Sequence, residues 1–246
     1  MTLPKKCRIA PLFLLAFMTD VLAGHPFVTD DTSTQGLDKQ QFEANTDRAR
    51  QSGTVLQVGH FIYSYGTLQN LDLFVDLPAT FSSPAGVNDV SAGLKWRFYE
   101  DGASSFALKS ALLFPSGNQR LGYGSGRSNL VLTLIGSRYT APWAWHANLG
   151  LSTNRQAADS INVGQHSLLW QASAALAYDF NRHWKTLADL GIARNPDPAR
   201  GPHPAYFLTG IIYSPDTAVE LDAGLKFGLN RTASDHQIGV GLTWRF

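Results

Sequence analysis

Toward its C-terminus the chain alternates: Ile238, Val240, Leu242, Trp244 and Phe246 are separated by Gly239, Gly241, Thr243 and Arg245. Side chains two residues apart share one face of a strand, so this period predicts a strand that is apolar on one side only. Runs of the same kind recur over 40–48, 54–64, 71–77, 90–99, 105–114, 130–138, 143–154, 168–180, 184–194, 205–214, 219–229 and 237–246. Clusters of Gly, Pro, Asn, Asp and Ser separate them. No helical period follows residue 23, and no change of composition marks a second domain. The expected fold class is all-β: a single transmembrane antiparallel β-barrel of about twelve strands, an even number as single-chain bacterial outer-membrane barrels use.

The connections and the aromatic residues sort the same way. Counted back from Phe246, segments 66–70, 100–104, 140–142, 181–183 and 215–218 are short, whereas 78–89, 115–129, 155–167, 195–204 and 230–236 are longer; only 51–53 breaks the alternation. Outer-membrane barrels have short periplasmic turns and long outer loops, which sets the expected orientation. Tyr63, Trp96, Phe98, Trp143, Trp145, Tyr178, Phe180, Trp184, Tyr213, Trp244 and Phe246 then gather at the periplasmic strand ends. Aromatic rings with a polar edge favour the membrane interface, so these residues predict a girdle. A last strand ending on Phe246 also implies, as partners, outer-membrane lipid and the machinery that assembles such barrels.

At the amino end, Lys5, Lys6 and Arg8 precede the apolar run 9–18, and Val21-Leu22-Ala23 offers a cleavage site. That order is a signal peptide over residues 1–23; the run is shorter than the roughly 20 residues of a membrane helix. Its loss would remove Cys7, the chain's one cysteine, and bring 20 basic and 19 acidic residues close to balance. A balanced charge excludes the basic footprint of a nucleic-acid binder. The mean hydropathy of −0.12 does not exclude a membrane protein, because polar lumen residues dilute lipid-facing ones.

If the apolar parity faces lipid, the opposite parity faces a lumen. Asp72, Asp76, Lys95, Arg97, Lys109, His146, Asn148, Asp189, Asp222, Lys226 and Arg245 are the candidate lumen-lining residues, with Tyr99, Glu220 and Thr243 on the same face. Neighbouring strands suggest pairs of Asp72 with Arg97, Asp76 with Lys95, and Asp222 with Arg245, which would neutralise the lumen. Residues 24–38 are polar and turn-rich, open with His-Pro-Phe-Val-Thr-Asp-Asp, and are expected to form a periplasmic tail or a plug ahead of the barrel at 39–246. His25, Asp30 and Asp31 have metal-ligand chemistry, but no second His or Cys cluster supports a metal, so no metal or other cofactor is expected.

No catalytic constellation is expected either. His146 and Ser152 lie far apart along one strand, adjacent His166 and Ser167 point to opposite faces, and 122–126 (Gly-Tyr-Gly-Ser-Gly) reads as a flexible loop.

Four stretches carry a resemblance: His25-Pro26-Phe27-Val28-Thr29-Asp30-Asp31; Gly86-Val87-Asn88-Asp89-Val90-Ser91-Ala92-Gly93-Leu94-Lys95-Trp96-Arg97-Phe98; Asn195-Pro196-Asp197-Pro198; and Gly241-Leu242-Thr243-Trp244-Arg245-Phe246. Together they resemble the bacterial outer-membrane transporters of the meta-pathway of phenol degradation family, across nearly the whole mature chain. The resemblance implies a porin-like barrel that takes up small aromatic or hydrophobic solutes; it carries over no ligand residues. A closed structural or ligand-binding barrel and a lipid-modifying enzyme stay open as alternatives.

Overall fold

A computed structural model describes residues 24–51, 53–157, 164–199 and 201–246; the expected signal peptide lies outside the described residues. Twelve long strands follow in order: β1 (Gln40–Gln51), β2 (Thr54–Leu68), β3 (Leu71–Thr80), β4 (Ser91–Glu100), β5 (Ser104–Leu113), β6 (Asn129–Thr140), β7 (Trp143–Thr153), β8 (Leu168–Asp179), β9 (Trp184–Ala193), β10 (Ala205–Tyr213), β11 (Val219–Gly228) and β12 (His236–Arg245). Each pairs antiparallel with the next, and β12 returns to β1, with Gln41 opposite Arg245 and Arg50 opposite His236. Gln40 and Phe246 exchange backbone hydrogen bonds of 2.9 and 3.0 Å at the end of this seam. Closure gives each of these twelve strands a neighbour on both sides, which a lipid environment requires because nothing there can satisfy backbone polar groups. A two-residue pairing of Gly86–Val87 with the end of β3 extends the wall into the outer loop.

The polarity of the two faces is inverted relative to a soluble barrel. Leu242 is 39% exposed and its neighbour Thr243 only 5%. Leu73, Val75, Leu132, Leu149, Leu190 and Leu225 likewise project outward, while Asp72, Lys109, Asn148, Asp189 and Lys226 are buried. The aromatic girdle is continuous in places: Trp143 and Tyr178, Trp184 and Tyr213, and Trp244 and Phe246 pack with ring centroids 4.5–4.6 Å apart.

Turns of a few residues (69–70, 101–103, 141–142, 180–183, 214–218) join strands at the end that holds Phe246, and longer loops join them at the other, except at 52–53. Three local differences from the sequence pattern have physical causes. A bulge between Arg97 and Tyr99 in β4 turns Tyr99 out of the expected lumen face, where its ring meets Phe106 at 5.8 Å. An irregular register between Gly66 and Leu68 carries β2 to Leu68, beyond the expected end at 64. The glycine-rich stretch expected as a flexible loop is folded: Tyr123 and Ser125 are buried, and the Asp89 carboxylate accepts from the Gly117 and Ser125 N–H groups and from the Ser125 hydroxyl.

Candidate functional site

Residues 25–38 run around the inside of the barrel and touch most of its strands in turn. At one end His25 sits between two wall carboxylates, with Nδ1 on Asp222 of β11 and Nε2 3.5 Å from Asp47 of β1. Burial alone would lower the imidazolium pKa, but hydrogen bonds to Asp222 and Asp47, and then their charges, outweigh it and raise the pKa to about 10. Gly210, Gly224 and Gly239 are level across β10, β11 and β12 and face inward: Pro26 lies over the first two and the His25 ring over the third. A Cβ on Gly224 would come within 2.7 Å of the Pro26 Cβ, so Pro26 fits against the wall there because Gly224 has no side chain.

The next anchor is Asp189 of β9, which has no exposed surface. Its carboxylate accepts from the Val28 N–H at 2.9 Å, from the Thr29 N–H and hydroxyl at 2.8 Å each, and from the Tyr206 hydroxyl at 3.1 Å. Four donors replace the water this buried charge has lost. Phe27 meets the His146 ring edge-on at 5.9 Å.

Asp30 comes next. One carboxylate oxygen takes the Lys95 ammonium at 2.9 Å and the other takes that of Lys109. Lys95 and Lys109 are directly opposed on β4 and β5, a like-charge pairing that is destabilising unless an anion joins it. Asn148 of β7, with its amide turned to satisfy both groups, donates to the Asp30 carbonyl at 2.9 Å and accepts its N–H at 2.6 Å. Asp31 stands 3.4 Å from Lys95. The segment then reaches Ser105 and Ser137 through Thr32, and Asp72 through the Gln35 N–H at 3.0 and 3.1 Å. The Asp38 N–H on the Gly66 carbonyl leads it into β1.

A cavity of about 700 Å³ lies on the Phe246 side of this segment. Its walls include Asp30, Lys95, Lys109, Phe27, Phe74 and Tyr139, and its rim Gln40, Ala218, Arg245 and Phe246.

The three expected ion pairs do not form. Asp72 stands opposite Lys95 rather than Arg97, and the long lysine side chain turns to Asp30 and Asp31. Arg97 instead lies 3.4 Å from Glu100, next to the bulge. Asp76 receives His60 Nδ1 at 2.9 Å, Asp222 receives His25, and Arg245 pairs with Glu220 at 2.7 Å and with Gln41 at 2.9 Å. Lys226 lies over the Tyr206 ring, 4.7 Å from its centroid. Several partners come from the N-terminal segment, which strand-to-strand reasoning left out.

Sequence reasoning also missed a hydroxyl and imidazole in contact: Ser137 Oγ and His146 Nδ1 are 2.9 Å apart across β6 and β7. Ser137 is 5% exposed, and its oxygen also accepts the Thr32 N–H, so the hydroxyl faces the N-terminal segment rather than the cavity. Among the described residues, no group of three or more His, Cys, Asp or Glu side chains has the arrangement of a metal site.

A closed barrel with a lipid-compatible exterior and a polar lumen defines an outer-membrane β-barrel protein, and its place is the bacterial outer membrane. The chain belongs to the family described as "Putative MetA-pathway of phenol degradation", whose profile matches residues 23–246. No curated protein matches it in sequence. Among solved structures it is similar to the COG4313 outer membrane channel from Pseudomonas putida F1, at 14% identity and a TM-score of 0.69 over 88% of this chain and 98% of that one. The NanC porin is similar at 7% identity and 0.63, over 83% and 98%, and the KdgM porin at 10% and 0.61, over 84% and 99%. At these identities the likeness is one of fold.

Proposed function

We propose that the protein is a porin-like channel for passive uptake of small solutes, aromatic or hydrophobic ones included, and that residues 24–38 act as its internal plug. The observation that carries this reading is the path of that segment: its anchors are lumen-facing side chains, and a cavity wide enough for a small solute adjoins it. The candidate lumen residues then serve two roles. Asp189, Asp222 and Asn148 hold the plug, while Lys95, Lys109 and Arg245 also border the solute space. Phe246 completes the terminal strand through which assembly machinery would recognise the chain.

Recordings in planar bilayers and solute uptake into liposomes test the reading. Deleting residues 24–38 raises conductance, and Lys95→Glu then shifts ion selectivity, because charges lining a pore set its electrostatic barrier. If parent and deletion variant are both non-conducting and admit no phenol, the closed-barrel reading replaces this one. The Ser137 and His146 contact supports a second, hydrolytic reading. It predicts ester hydrolysis by the refolded protein that Ser137→Ala abolishes, and, because Ser137 is buried beneath Thr32, only once residues 24–38 are displaced.

A further inference from the structure

The channel reading leaves the solute's chemistry open, and the Lys95 and Lys109 pair narrows it. Two ammonium groups held side by side on adjacent strands are an unfavourable arrangement by themselves. Asp30 resolves it by giving one carboxylate oxygen to each, and both Asp30 and Lys109 are almost fully buried there. The contact differs from an ordinary wall ion pair because the acid belongs to the N-terminal segment, not to a strand. The same carboxylate also borders the cavity of about 700 Å³, within the range of small-molecule sites.

The surroundings specify the rest of a ligand. Phe74 lies beneath Lys109, with the ammonium 5.2 Å from the ring centroid, and Phe27 and Tyr139 face the same cavity. Asp72, Glu43 and Asp31 also line it, so the site accommodates one carboxylate in place of that of Asp30 and repels a second.

We propose that Lys95 and Lys109 form a binding site for solutes bearing a single carboxylate, aromatic monocarboxylates in particular, and that Asp30 occupies this site as a built-in competitor. The proposal rests on the channel reading and deepens it: an incoming carboxylate takes the two ammonium groups and releases the middle of the plug. Binding and plug release are then one exchange, because one pair of lysines cannot hold both acids in this geometry.

Calorimetric titration of the full folded barrel in detergent, with benzoate, phenol, benzylamine and phthalate as probes, tests this. Asp30→Asn tightens benzoate binding about tenfold or more, since the competent state no longer has to be vacated first. Adding Lys109→Gln to Asp30→Asn removes that gain, whereas adding Lys109→Arg keeps it. Phenol and benzylamine show no such gain, and phthalate gains less than benzoate. Benzoate present during refolding restores the heat-modifiable band of Asp30→Asn if that variant folds poorly. An unchanged benzoate affinity in folded Asp30→Asn, an equal gain for phenol, or failure of that rescue overturns the proposal. Potassium chloride conductance of the variant lacking 24–38 separates the two readings. Conductance without benzoate selectivity defeats the site and leaves the channel standing; the full benzoate pattern without conductance defeats the channel and leaves the site.

Discussion

Thr29 holds Asp189 with both its N–H and its hydroxyl, each at 2.8 Å, and no part of Asp189 reaches solvent. The carboxylate belongs to β9 and three of its four donors to the N-terminal segment, so it ties that segment to the wall. Asp189→Ala leaves the Val28 and Thr29 N–H groups without a partner, at about 1–3 kcal/mol for each donor left buried. The expected result is a segment cut readily by added protease while the barrel keeps its heat-modifiable migration. A protease-resistant segment in this variant would show that Asp189 does not anchor it.

Gly224 and Pro26 offer a steric test of the same docking. Gly224→Val places side-chain carbons where Pro26 lies and costs about 1–3 kcal/mol, as overpacking does. In a chain lacking residues 24–38 the cost disappears, so the two changes are non-additive. Denaturant titrations of the four proteins measure the difference; equal costs in both backgrounds would place the strain elsewhere.

Leu242 and Leu190 face outward at 39% and 52% exposure. Replacing either with Arg destabilises the barrel by about 2–4 kcal/mol if the site lies near the bilayer midplane, and less toward an interface. Folding titrations into lipid vesicles read the effect, and curves that coincide with the parent for both variants would contradict lipid contact on this face.

His25 gives the segment a pH dependence. Its folded pKa of about 10 lies above the ordinary value of 6.5, so its contribution is complete below 6.5 and is lost as pH rises through 10. Asp222 and Asp47 face the ring from β11 and β1, and His60 and Gln237 border the same pocket. Protease accessibility of the segment therefore increases with pH across this window in the parent. His25→Asn, which cannot titrate, shows a flat profile there; an unchanged slope would assign the effect to another group.

How much could be read in advance differs between wall and lumen. The strands, the closure at β12 and the outward stripe of Leu242 and Trp244 followed from alternation, because which face a side chain takes is a local property of an extended backbone. The length asymmetry of the connections was equally legible. Tyr99 escaped that rule because a bulge adds one residue on one strand and reverses the parity beyond it, which the one-dimensional pattern does not register.

The amino-acid order alone thus determined a membrane barrel with a polar interior, the inward parity of Lys95, Lys109, Asp189 and Asp222, and a charged segment ahead of the first strand. It did not determine which acids meet which bases. Proximity along the wall points Asp222 to Arg245, yet in the fold it holds His25, some two hundred residues away in the chain, and Asp30 joins two lysines on different strands. Only closing the barrel creates the enclosed space in which a short segment can reach β11, β9, β5 and β3 at once. The energies decide the rest: a buried charge takes whichever partner can desolvate with it in good geometry, and that partner is chosen by three-dimensional position, not by distance along the chain.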